Sequence, residues 1–342
     1  MTPDPASRPP PGPLVDTFGR RVTYVRVSVT DRCNLRCRYC MPGENPEWIE
    51  RPSILTYEEI GRFARVAAAH GVRKFRLTGG EPLVRRDLHR LVAMLAALPG
   101  VEDVALSTNG VLLSEQAADL RAAGLRRVNI SLDTLQPARF AHIARADQFQ
   151  RTWDGIMAAL RHGFSPVKLN MVVIRGFNDD EVCEMADLTR KHPVHLRFIE
   201  YMPIGGDETD WNRDKVVPAV EILDKLRAAH DMTPETPDGG CAGPERPWRL
   251  AGAPGRVGFI SPVSNEFCAS CNRLRLTSDG KLRGCLMRDG ELDVRAALRA
   301  WADDDALADL LLEAVRRKPE THLINSPGFR HAESYTMNRI GG

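Results

Sequence analysis

From Val22 onward the chain alternates short apolar runs with longer amphipathic stretches. That alternation dictates repeated β/α units built on a parallel sheet. Six strand candidates carry it: Val22 to Val29, Lys74 to Leu77, Asp103 to Ser107, Arg127 to Ser131, Lys168 to Val173 and His195 to Ile199. A helical stretch follows each. Thr56 with Glu59 three residues on forms a capping box, while Ser114, Asp179 and Pro218 are expected to open the third, fifth and sixth helices. The fourth lies around Gln150 to His162. Six units are fewer than the eight that close a full barrel, so the expected fold is α/β, a partial (βα)6 barrel whose gap needs a cover.

Three regions follow. Residues 1-13, MTPDPASRPPPGP, are Pro-rich and expected to lack fixed structure. Residues 14-234 hold the six units. Residues 235-342 begin with a Pro/Gly-rich loop, pass through a cysteine cluster and a helical stretch, and end at Gly341 and Gly342; they are the expected cover. No internal repeat beyond the βα period is visible.

Composition excludes some classes. There is no run of eighteen apolar residues and no charged-then-apolar start, so neither a membrane span nor secretion is expected. A net charge of +2 argues against a nucleic-acid partner bound by bulk electrostatics. Only seven of the 47 basic residues are Lys, so a Lys is a slightly sharper clue than an Arg. Eight Cys in a chain expected to be cytoplasmic read as reduced thiols, and six of them are clustered.

Parallel βα folds present ligands at the carboxyl ends of their strands. The unusual residues sit there: DRCNLRCRYC after the first strand, TGGEP after the second, TNG after the third, SLDT after the fourth and EYMPIGG after the sixth. Cys33, Cys37 and Cys40 place three soft ligands within eight residues. The i, i+4, i+7 spacing also suits one buried helix face, but Arg32, Asn34, Arg36 and Arg38 between them suggest a polar loop; zinc is the other alternative. An iron-sulfur cubane usually takes four Cys, so three would leave one iron open to a small molecule.

The motif C-x3-C-x-aromatic-C, with Tyr39 as the aromatic, followed by GGEP, resembles the radical S-adenosylmethionine (SAM) superfamily. That resemblance implies a [4Fe-4S] cluster on Cys33, Cys37 and Cys40 that binds and cleaves SAM. It also implies Tyr39 beside the adenine, Gly79, Gly80, Glu81 and Pro82 at the methionine end, and Ser131 and Met202 completing the SAM site.

Cys268, Cys271 and Cys285 form a second triad, C-x2-C-x13-C. By spacing it also suits a zinc ribbon, with Cys183, Cys241, His322 or His331 available as a fourth ligand. The remaining histidines show no metal-like grouping. Arg273 and Arg275 alternate on a strand-like segment, placing two guanidinia on one side, which suggests an anionic ligand. A solvated Arg edge is the plainer reading of the pair.

The strings VSVTDRCNLRCRYCMP, RLTGGEPLVR, STNG, NISLDT, RFIEYMPIG and CNRLRLT, with Cys285 and the terminal diglycine, together resemble the GTP 3′,8-cyclase family of molybdenum cofactor biosynthesis. The resemblance spans residues 18 to 342. It implies two [4Fe-4S] clusters, with GTP between them. Arg26, Lys74, Arg76, Arg197, Arg273 and Arg275 would hold the triphosphate and ribose, and Thr108 and Lys168 would also touch GTP. No catalytic residue beyond the cluster ligands is implied, except that Gly341 and Gly342 would enter the site for cyclisation. An electron donor of unknown identity and a downstream pterin-forming enzyme are the implied partners; a homodimer is entertained without support from any residue. Two rivals stay open: a radical SAM enzyme whose auxiliary cluster serves modification of a peptide or another small molecule, and a non-catalytic metal-binding or redox-sensing module.

Overall fold

A computed structural model describes residues 12–41, 47–204, 211–236, 245–300, 302–326, 329 and 337–341. The expectations for most of the Pro-rich head, for Cys241, for His331 and for Gly342 fall outside them.

All six expected strands form, each boundary within two residues: β1 (Tyr24–Ser28), β2 (Lys74–Thr78), β3 (Asp103–Thr108), β4 (Arg127–Ser131), β5 (Val167–Val173) and β6 (Val194–Glu200). Between and after them run α1 (Tyr57–Ala69), α2 (Leu88–Ala96), α3 (Leu113–Ala122), α4 (Pro137–Ala144), α5 (Phe149–Arg161), α6 (Val182–Lys191) and α7 (Ala219–Ala229). The capping box at α1 is present: Thr56 Oγ1 accepts from Glu59 N at 3.1 Å, and Glu59 Oε2 accepts from Thr56 N at 2.7 Å.

Two expected caps are corrected. α3 starts before Ser114, because the Asn109 side chain closes the preceding turn by accepting from Val111 N at 3.1 Å and Leu113 N already bonds Gly110 O. Asp179 caps a turn, accepting from Gly176 N at 2.8 Å, and α6 begins three residues later. The short helix α4 was not expected.

The C-terminal region supplies β7 (Met232–Pro234), β8 (Arg246–Leu250), β9 (Arg256–Ile260), β10 (Arg273–Leu276), β11 (Lys281–Arg283) and β12 (Leu292–Asp293), followed by α8 (Val294–Arg299), α9 (Asp304–Arg316) and α10 (Met337–Ile340). The sheet order is β12-β11-β10-β1-β2-β3-β4-β5-β6-β9-β8-β7. β10 lies parallel beside β1, and β9 lies parallel beside β6. Residues past 234 therefore extend both ends of the six-stranded sheet, and the β7–β8 hairpin crosses the expected boundary at 234. Side chains from β1 to β6 and from β9 and β10 line one cavity, which requires the sheet to curl round it.

The outward faces of the strands pack under the helices in one apolar core that includes Val25, Phe75, Leu106, Ile130, Leu169 and Phe198. Asp304 at the start of α9 pairs with Arg62 and Arg65 of α1, at 3.1 and 2.7 Å, seating the C-terminal helices beside the first unit.

Candidate active site

Parallel strands buried on both faces usually read as continuous apolar runs. Here the inward positions are polar. Period two puts Tyr24 and Arg26, Lys74 and Arg76, and Arg273 and Arg275 on the inner face. The register then aligns them across three strands, with Arg275 and Arg76 on either side of Arg26, and Arg273 and Lys74 on either side of Tyr24. Like charges directly opposite in a sheet are destabilising, so such a row needs an anion to relieve it. Burial and the neighbouring guanidinia hold Arg76 down at about 9 and Arg275 well below its ordinary value. Burial alone would raise the Tyr24 hydroxyl, but Arg76, Arg26, Arg127 and Arg273 outweigh it and bring it to about 8. Arg26 Nε, Arg76 Nε and the Tyr24 hydroxyl are buried without a protein partner.

Above these rows lies a cavity of ≈ 320 Å³ whose wall includes all six clustered cysteines. That size suits a small-molecule site. On one side the TGGEP turn is zipped to the cysteine loop: Gly80 N donates to Thr30 O and Glu81 N to Arg32 O, both at 2.8 Å. A Cβ on Gly79 would stand 2.4 Å from Thr30 O, and one on Gly80 2.4 Å from Arg32 O, so only glycine allows this approach. Both glycines line the cavity, as do Tyr39, Ser131, Met202 and Thr108.

Glu81 does not. Its carboxylate is fully buried behind the wall, accepting from Thr108 Oγ1 at 2.7 Å, Asn109 N at 2.6 Å and Leu83 N at 3.0 Å, with burial pushing it up to about 7. This side chain ties the GGEP turn to the end of β3. Lys74, Lys168 and Arg197 are not among the residues that line the cavity either. Lys168 pairs with Glu245 at 2.6 Å, and Arg197 donates to Asn170 at 2.9 Å and lies 3.7 Å from Glu245. Burial and Arg197 bring Lys168 down to about 8.

Four residues of the site carried no role in the sequence reading. Asp133 accepts from the Tyr39 hydroxyl at 2.7 Å and from Val172 N at 2.8 Å, and burial raises it to about 6. Asn109 reaches Cys33 Sγ at 3.8 Å. Both belong to the SLDT and TNG strings, so their positions were marked. Glu245 and Lys318 had no local signal at all.

The described cysteines are all free thiols. At the first triad, burial followed by Glu81 pushes Cys33 up to about 11, burial followed by Cys33 pushes Cys40 up to about 12, and Cys37 lies well above its ordinary value. Three such thiols become thiolates only against a metal's charge. Leu35 N points at Cys33 Sγ and Met287 N at Cys285 Sγ, both at 3.4 Å, the kind of hydrogen bond that supports cluster sulfurs. The donor set fits an iron-sulfur cluster at each triad.

His322, a candidate fourth ligand to zinc, does approach Cys268 and Glu266, their donor atoms lying within 4.8 Å of one another. Its ring nitrogens, however, are engaged by Pro262 O at 2.9 Å and Ile324 N at 3.3 Å. Cys183 sits on α6 and does not line the cavity.

The tail closes the arrangement. Asn338 donates to Asp31 O at 3.1 Å, and Arg275 donates to Gly341 O at 2.5 Å. Gly341 has φ +81, and a Cβ there would meet Thr78 and Ser28 at 2.8 and 3.0 Å. The penultimate residue thus lies on the strand ends in a conformation that favours glycine. Among the described residues no helix is long and apolar enough to cross a membrane.

Comparison with known proteins agrees with this geometry. A model of the radical SAM superfamily matches residues 27–189, and one described as Molybdenum Cofactor Synthesis C matches residues 194–324. Crystalline Streptococcus suis SuiB bound to S-adenosylmethionine shares the fold, with TM-score 0.60 at 14% identity over 86% of this chain and 69% of that one. The GTP 3′,8-cyclase of Moorella thermoacetica is 49% identical over 96% of this chain and 100% of its own length, and that of Geobacter sulfurreducens 47% over 96% and 99%. At that identity over nearly the whole chain, with both cysteine triads in one cavity, the chain belongs to the GTP 3′,8-cyclase family of radical SAM enzymes.

Proposed function

We propose that this protein converts GTP to 3′,8-cyclo-7,8-dihydro-GTP, the first step of molybdenum cofactor biosynthesis, with SAM at the first triad and GTP between the two. The observation that carries the reading is the row Arg275, Arg26 and Arg76 on β10, β1 and β2, with Arg273 and Lys74 in the next row, adjoining a cavity that both triads line. A triphosphate has the charge those rows need, and each charge-assisted bond contributes about 1.5–3 kcal/mol.

Cys33, Cys37 and Cys40 would hold a [4Fe-4S] cluster, which when bound and reduced would supply the electron that splits SAM into methionine and a 5′-deoxyadenosyl radical. The chain's part is orientation. Tyr39, held by Asp133, sets one wall for the adenosine, and Gly79 and Gly80 let the methionine end approach the backbone. The radical takes the ribose 3′ hydrogen and becomes 5′-deoxyadenosine. The C3′ radical would then add to C8 of the same guanine, leaving a radical on the ring that one electron from the external donor and one proton from solvent would convert to the dihydro product. Arg26, Arg76, Arg273 and Arg275 hold the triphosphate end, so the ribose faces the SAM side; near-attack placement of this kind can supply much of the rate. A second cluster on Cys268, Cys271 and Cys285 would meet the guanine. Lys168 and Arg197 join the phosphate site when the anion displaces Glu245 between them. The Gly341–Gly342 tail is needed for cyclisation in this reading, and the place of Gly341 beside Arg275 supports it.

An external one-electron donor and a downstream pterin-forming enzyme are part of this reading, in a reducing cytoplasmic setting that keeps the thiols free. The test is anaerobic: reconstitute with iron and sulfide, reduce, add SAM and GTP, and assay 5′-deoxyadenosine and cyclised GTP. Both products are expected. Deoxyadenosine without a GTP-derived product would overturn the substrate, and neither product from a fully loaded protein would overturn the class.

A further inference from the structure

Lys318 follows α9 and is only 3% exposed. Its ammonium donates to Gly284 O at 2.8 Å, to Arg273 O at 3.1 Å and to Cys271 Sγ at 3.3 Å. An ammonium has three protons, and all three are used. Burying that charge is costly unless an anion faces it. No carboxylate among the described residues pairs with it, so the Cys271 sulfur, as a thiolate, is the counter-charge. The two carbonyls belong to the residue two after Cys271 and to the residue before Cys285. One ammonium therefore joins two ligand loops. The remaining ligand is tied to the same segment by Arg20, which is paired with Asp16 and donates to Cys268 O at 2.8 Å, to Pro319 O at 2.6 Å and to Glu320 O at 2.8 Å.

We propose that Lys318 is the positioning residue of the second triad, setting the Cys271 and Cys285 loops in place and favouring the more negative, reduced state of the cluster they hold. Hydrogen bonds to the sulfurs and net local charge are the protein's means of setting a cluster's potential. The inference rests on the reading that this triad binds an iron-sulfur cluster.

The test uses the full chain with Cys33, Cys37 and Cys40 changed to Ala, so that only the second site is loaded, followed by redox titration and timed iron loss to a chelator. Lys318→Met should lower the reduced-to-oxidised ratio at fixed ambient potential about tenfold, equivalent to a 59 mV lower midpoint for one electron, and should speed iron loss. Lys318→Arg, which keeps the charge, should restore most of the potential. An unchanged midpoint in Lys318→Met overturns the proposal. If Lys318→Met takes up no iron, Lys318→Arg decides: a loaded cluster with near-native potential supports the role, and an equally empty protein overturns it. A parent protein that itself takes up no iron overturns the cluster reading, and the inference with it.

Discussion

The two cysteine triads offer the same three sulfurs in settings that differ most at one sulfur, since burial raises Cys268 as it raises the whole first triad, whereas Cys271 is lowered. The first lies on one continuous loop beside buried carboxylates, Glu81 behind it and Asp133 across from Tyr39, and its thiols are pushed far up. The second is assembled from two loops among cations. There burial would raise Cys271, but Arg273 and Lys318 outweigh it and bring the thiol down to about 6. Under the proposed function, SAM with its sulfonium cation meets the first setting and GTP, a polyanion, meets the second. The lesson is that the neighbours of a metal site, more than its ligands, choose the molecule bound beside it.

The largest expected effect tests the division of labour. Cys37→Ala should abolish 5′-deoxyadenosine formation, because it removes a ligand of the cluster that cleaves SAM; retained cleavage would end the comparison. Cys271→Ala should instead spare some SAM cleavage while the cyclised product disappears from the chromatogram. Cyclisation that survives would reduce the second triad to scaffolding.

Smaller changes sharpen the charge argument. Arg275→Ala removes one guanidinium from the inner row, and a loss of about 1.5–3 kcal/mol predicts a KM for GTP raised roughly 10- to 150-fold. An unchanged KM would place the triphosphate elsewhere. Asp133→Asn keeps the shape beside Tyr39 but loses the charged acceptor, so a rise in the KM for SAM of about 5-fold is expected, with the KM for GTP unmoved.

The smallest effect is on stability. Glu81 and Asp133 have folded-state pKa values, about 7 and about 6, above their ordinary ones. A raised acid is stabilising while protonated, so this contribution is fully present below about pH 4 and is lost as pH rises through 6 and 7. The thermal midpoint of the metal-free protein should therefore fall between pH 4.5 and 6, below the range in which the lowered Cys271 thiol acts in the opposite direction. A midpoint that rises over that window would mean their hydrogen bonds outweigh burial.

Much of the site was legible because chemistry forces local spacing. Three cysteines within eight residues, two glycines flattened on a backbone, and Arg-x-Arg on a strand are each readable from adjacent residues. A motif string does not say which way a side chain turns: the carboxylate of Glu81 is spent on Thr108 and Asn109, which only the fold brings beside it. Ser114 failed as a cap because the turn made by Asn109 and Gly110 starts the helix early. Glu245 and Lys318 were unreadable, since one sits in a Pro/Gly-rich stretch and the other past a helix end, and their partners lie 77 and 47 residues away.

The sequence by itself determined the six βα units, the two triads and the loops that carry ligands, since periodicity, capping and ligand spacing are all local. Only the tertiary structure decided that β10 docks parallel to β1 with Arg275 level with Arg26, that β9 extends the other edge, and that Gly341 comes back to the strand ends. Those are pairings between segments as much as 249 residues apart, set by the edge hydrogen bonds and apolar faces that the six central strands leave unsatisfied.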